Sequence, residues 1–420
     1  MSLVMNPEKV VVPALNLPES RMSDLEVQCQ IETSFAAVSA IRGEWDEAVL
    51  TWGSTIYLTF DWVQTWWEFY GEDKELRLFL FRRAGKLVGV IPIYLESFGA
   101  GFLTTKVARL VGANIPPKTF NPPVDPGCAE AIFARVFRHL FAVDRCDLLS
   151  FGPVAENWPV QRAFREACVP VADHLDSVAF HPRDVQTFFH LPPTFEGYLE
   201  SLSSSERKNR LKRIRHLEKN HRVTLAAVAA PDEVEREFDA FAEMHARQWQ
   251  AIGKGGHFEA WPRAKAYNRA LVKAQARLGR VRFFQMLVDD EVVVSRYTFL
   301  LGNTIYSELP ARKTGEHWDK LGVGGVSMIK FNQQLIEAGI GNVDSGLGGY
   351  EHKTQMGGDE IPVGVWHVVG RNSAGKVRRF LAVSKAINTL CHKIWYRRIV
   401  PHLPKPYGRT QSLTWLRFDV

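Results

Sequence analysis

The residues best placed to do chemistry lie between positions 304 and 353. A strand-like run, Thr304-Ile-Tyr-Ser-Glu-Leu-Pro, leads through a loop over 311–321 into Gly322-Val-Gly-Gly, and a helical pattern follows over 326–338. Strand, glycines and helix start are the order in which a chain holds a diphosphate. The glycines let the backbone approach the phosphates, and the helix N-terminus offers unpaired N–H groups and the positive end of its dipole. G-K-[ST] and the G-x-G-x-x-G spacing are absent, so the segment is neither a Walker A loop nor a dinucleotide fingerprint. The same glycines could also simply close a tight turn. Around them stand candidates for acid–base work. Glu308 shares a strand face with Tyr306 and is the first candidate base; otherwise it is a strand-end carboxylate in solvent or paired with Arg312. His245 sits on an acidic helix with Arg247 and Trp249, and a neutral imidazole suits a base near pH 7; the alternative is a packing histidine. Asp344 ends the strand Asn342-Val-Asp-Ser beside Gly346, Gly348 and Gly349, where a carboxylate can orient an amine or a sugar hydroxyl. Lys353 follows, with Tyr350, a further catalytic candidate, and His352; an ion pair that staples the loop would also account for Asp344 and Lys353.

Positioning these groups requires an α/β framework. The segment ELRLFLFRRAGKLVGVIPIYLE reads as a β-hairpin turning at Ala84-Gly85-Lys86, preceded by an aromatic helix that ends at Gly71. VRFFQMLVDDEVVVSRYTFLLGNTIYSELPA repeats the theme after an acidic helix over 232–249. Residues 77–94 align without gaps on 282–299, and the two turns fall at one offset. Two copies of one unit fit the length of 420 residues. The expected division is a loose tail over 1–30, units over 31–185 and 186–370, and a basic tail over 371–420. The first copy lacks a counterpart of Gly322–Gly325, so one donor site per chain is expected.

Composition is ordinary for a globular chain, 46% apolar and 23% charged. No apolar run reaches the roughly 18–20 residues of a membrane span, and the N-terminus does not read as a secretory signal. The five cysteines are widely spaced with no C-x-x-C pair, which argues against a disulfide framework and a cysteine zinc site and fits a reducing cytoplasm. No metal is expected. The net charge of +6 is uneven: residues 371–420 hold eleven Lys/Arg and one acid, the remainder 41 basic and 45 acidic residues. Two basic segments stand out. Arg207–Lys219 carries seven Lys/Arg with Leu211, Ile214 and Leu217 three apart, a solvated face or a binder of an anionic acceptor or of a phosphate group. Over 376–400, Phe380, Val383, Ile387, Leu390 and Ile394 form a stripe mostly opposite Arg378, Lys385, Lys393 and Arg397, with Trp395 and Tyr396 near the end. Such a helix can lie on an anionic membrane or pack on the protein's own body. No recognised nucleic-acid module accompanies it, so nucleic acid is not the expected partner.

Asp319-Lys-Leu-Gly-Val-Gly resembles the R/Q-x-x-G-x-G/A loop of GNAT acyltransferases, which cradles the pyrophosphate of coenzyme A. The first position departs from the pattern, being Asp319, and Lys320 beside it can supply the charge. The departure points to the FemAB-like branch with its duplicated GNAT folds. Phe60-Asp-Trp-Val-Gln-Thr-Trp-Trp, Gly89-Val-Ile-Pro-Ile-Tyr, Phe195-x-x-Tyr-Leu-x-x-Leu-Ser, Met244-His-x-Arg-Gln-Trp and Asp344-Ser-Gly-Leu-Gly-Gly-Tyr-Glu-His-Lys together resemble the CelD/BcsL-type acetyltransferases, over about 31–370. The resemblance implies two tandem GNAT-like domains, each a mixed, mainly antiparallel sheet flanked by helices, plus a basic C-terminal helix. It implies acyl-CoA, with acetyl expected, as co-substrate, bound by Lys320, Leu321, Gly322, Val323, Gly324 and Gly325. It implies an amine or hydroxyl acceptor on a glycan, glycolipid or small molecule, met by Asp344, Lys353, Arg247 and Trp249, in a cytoplasmic protein peripheral to the inner membrane face. The rivals are a FemAB-like aminoacyl-tRNA-dependent transferase and a non-catalytic accessory subunit of a membrane synthase.

Overall fold

The computed structural model describes residues 27–101, 104–113, 115–116, 118–403 and 417–418. The chain divides into two compact units, one of 1–184 with 362–397 and 414–420, the other of 185–361 with 398–413. The expected tail over 1–30 needs one correction: the first strand, β1 (Gln28–Glu32), begins inside it, and residues 1–26 lie outside those described.

In the first unit β1 pairs antiparallel with β2 (Glu75–Arg83), which forms the expected hairpin with β3 (Lys86–Phe98). Ala84 and Gly85 both take positive φ, 48° and 79°, the backbone of a two-residue turn whose twist matches the strands it joins. β4 (Thr105–Leu110) runs antiparallel to β3, and parallel to β5 (Leu148–Ala155) over only three residue pairs, Val107–Leu148 to Arg109–Ser150. The aromatic helix Phe60–Tyr70 buries Phe60, Trp62, Val63, Trp66 and Tyr70, a helical spacing that keeps one apolar face inward. The buried indole N–H groups find carbonyls: Trp45 donates to Leu58 at 2.8 Å and Trp66 to Ile115 at 2.7 Å.

β6 (Leu175–His190) starts in the first unit and ends in the second. There β7 (Val223–Val228), β8 (Val281–Val288), β9 (Glu291–Leu301), β10 (Thr304–Arg312) and β11 (Asn342–Leu347) repeat the order and sense of β1 to β5. The β8–β9 turn again has two positive φ values, Asp289 at 51° and Asp290 at 66°. The β10–β11 pairing is again parallel and again three pairs long. β11 is flanked antiparallel by β6, and β5 by β12 (Asp359–Gly370), so the sixth strand of the first unit comes from beyond the second. The fold is α/β, with mixed, mainly antiparallel sheets flanked by helices.

The tail helix spans Ala374–Thr389 and continues as a wider turn over Leu390–Ile399. Val377 and Phe380 are buried against Phe98, Val107, Leu148 and Val369 of the first unit, with the Phe380 and Phe98 ring centres 4.8 Å apart. The rest of the stripe is mostly open: Val383, Leu390 and Ile394 are exposed, and Tyr396 falls outside the described side chains. Among the described residues no helix is long and apolar enough to cross a membrane.

Candidate active site

The expected loop over 311–321 is not a loop. β10 runs on to Arg312, a short helix occupies Glu316–Leu321, and a second helix begins at Val323, three residues earlier than the sequence pattern indicates, and ends at Glu337. Gly322 alone is the corner between the helices, at φ 62°, a left-handed conformation that costs a residue with a Cβ. Val323, Gly324 and Gly325 are therefore the first turn of the second helix. The Gly325 and Val326 N–H groups bond back to the Gly322 carbonyl at 3.1 and 3.2 Å, while those of Val323 and Gly324 make no such bond among the described residues, as at the start of a helix that can meet an anion.

Three guanidinium groups stand against this turn. A Cβ on Gly325 would come 2.9 Å from Arg210 Nη1, one on Gly322 3.6 Å from Arg213 Nη1, and one on Gly324 3.3 Å from Arg312 Cδ. Arg210 and Arg213 belong to the basic helix Ser204–Asn220, capped at its start by Ser203. Glu206 pairs with Arg210 at 2.9 Å and Asp319 with Arg312 at 2.6 Å, while Arg213 makes no ion pair among the described residues. A fourth arginine, Arg296 on β9, is buried beneath the turn. Its Nε has no hydrogen-bond partner, its Nη2 lies 3.5 Å from Ser327 Oγ, and Ser327 donates to the Gly324 carbonyl at 2.8 Å. Burial holds the Arg296 pKa down to about 10, still fully charged at neutral pH. His352 also lies in this field: burial first, then the charges of Lys353, Arg296 and Arg210, lower its pKa.

The opening beside the turn is set by strand geometry. β10 and β11 are paired only from Thr304–Asn342 to Tyr306–Asp344. Beyond that point β11 follows β6, and β10 carries a bulge against β9 in which Glu308 is the extra residue between Ser307 and Leu309. A bulge re-aims a side chain and leaves backbone groups outside the ladder. Glu308 thus sits at the parting of the strands, and its charge is felt by the buried Tyr297. Arg312, the partner named as one alternative for Glu308, pairs instead with Asp319 at 2.6 Å among the described residues. Asp344 is 1% exposed, accepts from Gln186 Nε2 at 2.7 Å and from the Gly346 N–H at 2.8 Å, and caps the turn that follows.

The remaining candidates are placed differently from the sequence expectation. Lys353 Nζ donates to the Ser345 carbonyl at 2.8 Å and to those of Leu347 and Gly348 at 3.4 Å, with the Tyr350 ring 5.1 Å away. It fastens the loop after β11 through backbone carbonyls. Tyr350 itself is 56% exposed. Lys320 points into solvent toward Glu316 at 2.7 Å, and Leu321 packs on the core of the second unit. The acidic helix Pro231–Ala251 carries His245, Arg247 and Trp249, and between them Gln248 accepts from the Arg312 N–H at 2.9 Å. Trp249 donates to His245 Nε2 at 3.0 Å, and His257 Nδ1 lies 3.1 Å from the same nitrogen. His245 Nδ1 is buried without a partner, and burial pushes the imidazole pKa down to about 3. With its accepting lone pair engaged, this is a packing histidine. Arg247 reaches only Glu243, at 3.7 Å in solvent. The sequence reading singled out none of Arg210, Arg213, Arg296 and Ser327 as site residues. The signal for the first two was the basic run, and for Arg296 a lone charge inside Val292-Val-Val-Ser-Arg-Tyr-Thr-Phe. Among the described residues no group of three His, Cys, Asp or Glu could hold a metal.

Residues 204–354, from the basic helix to Lys353 and its neighbour, match the acetyltransferase (GNAT) domain family. No curated protein matches the chain. Among solved structures, FemX is similar at a TM-score of 0.57 and 11% identity, covering 81% of this chain and 97% of that one. A tandem GNAT protein from the clavulanic acid biosynthesis pathway is similar at 0.40 and 12%, covering 82% and 98%. The segment 204–354 matches the acetyltransferase (GNAT) domain family, and the fold, two units that repeat one strand order, is similar to that of FemX.

Proposed function

We propose that the second unit transfers an acyl group, acetyl in the simplest case, from acyl-CoA to an amine or hydroxyl acceptor. One observation carries the reading: β10 and β11 part after three pairs, and the gap opens beside a helix start faced by Arg210, Arg213 and Arg312. The glycine turn leaves room that a Cβ would fill, and the unpartnered Arg296 Nε and Arg213 guanidinium want an anion, so the residues present fit a diphosphate. When bound, the co-substrate supplies an activated acyl thioester. The chain's own residues do the rest. The helix start and arginines hold the phosphates, the open edges of β10 and β11 hold an extended amide arm, and the bulge presents Glu308 to the acceptor's proton. Asp344, fixed by Gln186 and the Gly346 N–H, orients the acceptor. Catalysis is then mainly positioning, with a base worth roughly 10²–10⁴-fold. A glycan or glycolipid acceptor in exopolysaccharide synthesis, as in CelD/BcsL-type proteins, and a cytoplasmic site at the inner membrane face, are parts of the same proposal.

The FemX likeness favours a second reading, an aminoacyl-tRNA donor on the same fold. Calorimetry with CoA, acetyl-CoA and longer acyl-CoAs, beside binding of a charged tRNA, separates them. Micromolar CoA binding indifferent to ribonuclease supports acyl-CoA; no CoA binding with retained tRNA binding overturns it.

A further inference from the structure

The first unit has its own parting of strands, where β4 and β5 separate after Arg109–Ser150. There the register lines up a row of polar side chains on one face. Tyr94 on β3 faces Arg109, Arg109 faces Ser150 on β5, and Ser150 faces His367 on β12. All four are at most 5% exposed. The His181 ring lies 4.5 Å from that of His367. This row is short of partners. Nε, Nη1 and Nη2 of Arg109 make no hydrogen bond, and neither does Nδ1 or Nε2 of His367. The guanidinium lies over the Phe98 ring at 5.5 Å and beside the Tyr94 hydroxyl, with which it interacts. Charge is lopsided as well. Lys74 approaches Glu96 to 3.7 Å and Arg417 also binds it, leaving Glu96 Oε2 without a hydrogen bond, while Arg109, Arg417 and Asp73 all act on the Lys74 charge. Arg183 adds a further positive charge near His181 and His367. Five nitrogens without a hydrogen bond on two side chains of one row are unusual in a folded interior.

We infer that Arg109, with His367 and His181 beside it, is a second ligand site, for a small molecule bearing a carboxylate or phosphate group. The guanidinium offers a planar fork that matches either oxyanion in two parallel hydrogen bonds, and an imidazole N–H supplies a third. The site lies in the unit that has no glycine turn, so it is distinct from the proposed donor site and does not depend on it.

The test is NMR of the full chain with isotopically labelled histidine, titrated with inorganic phosphate in one arm and acetate in the other at constant ionic strength. The His181 and His367 ring signals should shift saturably in the parent and in Gly324→Asp, which blocks the second-unit anion site. They should not shift in Arg109→Met. Arg109→Lys keeps the charge but loses the fork, and should weaken the response roughly tenfold or more. Melting without added anion gives an independent readout: Arg109→Met should melt at or above the parent temperature, because an unsatisfied buried cation is gone. No saturable shift with either anion, a shift that survives Arg109→Met, or a lowered melt in Arg109→Met would each overturn the inference.

Discussion

The two places where parallel strands part carry opposite charge patterns. In the second unit the helix after the parting starts among Arg210, Arg213 and Arg312, while carboxylates, Asp344 and Glu308, stand at the parting itself. In the first unit the corresponding helix, Ala129–Arg138, follows Asp125 and carries Glu130 in its first turn, while the parting holds Arg109 and His367. Asp125 accepts from the Gly127 N–H at 2.8 Å and pairs with Arg83 at 3.0 Å. One backbone plan thus sets arginines around the helix start in one copy and acids beside it in the other. The strand ladder alone does not decide what a unit binds; the side chains set on its two ends do.

The largest expected effect tests the second unit's end of this contrast. Gly324→Asp places a carboxylate where the phosphates would lie, and should weaken CoA binding by roughly 100-fold or more. The fold should survive, because Arg312 can answer the new charge and acids suit a first helical turn. Calorimetry on the folded variant checks it, and unchanged affinity would show that the turn does not hold the donor. Glu308→Gln comes next. It should lower kcat by roughly 10²–10⁴-fold with KM little changed if the bulge carboxylate is the base. A variant with parental kcat would return Glu308 to a structural role.

Packing in the first unit offers a sharper contrast of smaller size. Phe380→Ala should cost about 3–5 kcal/mol, read by thermal or denaturant unfolding, because the ring fills the space against Phe98. Leu390→Ser, on the exposed part of the same tail, should change stability by no more than about 0.5 kcal/mol. If the open stripe with Lys385, Lys393 and Arg397 meets an anionic membrane, Leu390→Ser should instead reduce flotation with anionic liposomes. Equal stability losses in the two variants would mean that the whole stripe is packed.

Acid should act on both units through buried histidines. The pKa values of His245 and His367 are each pushed by burial to about 3, well below the ordinary value for the residue. Between about pH 6.5 and 3 the unfolded chain therefore binds more protons at these sites than the folded one. Their contribution is full above pH 6.5 and falls as the pH drops, by up to about 1.4 kcal/mol per pH unit for each. Replacing either histidine by Asn should flatten the decline of the melting temperature between pH 6.5 and 4.5. An equal slope in parent and variants would contradict the burial assigned to them.

Much of the framework was legible in the amino-acid order. Alternating apolar residues around Ala84-Gly85 and Asp289-Asp290 announce hairpins, and both turns take the positive φ values that such turns need. The glycine segment was legible as a turn leading into a helix but not as a corner between two helices, since one left-handed residue between two helices looks locally like a loop. Arg296 was hidden because a single charge in an apolar strand carries no sign of which face it takes. His245 misled for the opposite reason: its type suggests a base, and only the Trp249 and His257 contacts reveal its lone pair as engaged. The tail's stripe could be read, yet its partner could not, because Phe98 lies far away in sequence.

The central claim is that the donor site belongs to the second unit alone. Titration calorimetry of the full chain with CoA measures it most directly. The account predicts one CoA per chain, with binding abolished by Gly324→Asp and unaltered by Arg109→Met. Two CoA per chain, or a single site lost with Arg109 and kept with Asp at position 324, would contradict it.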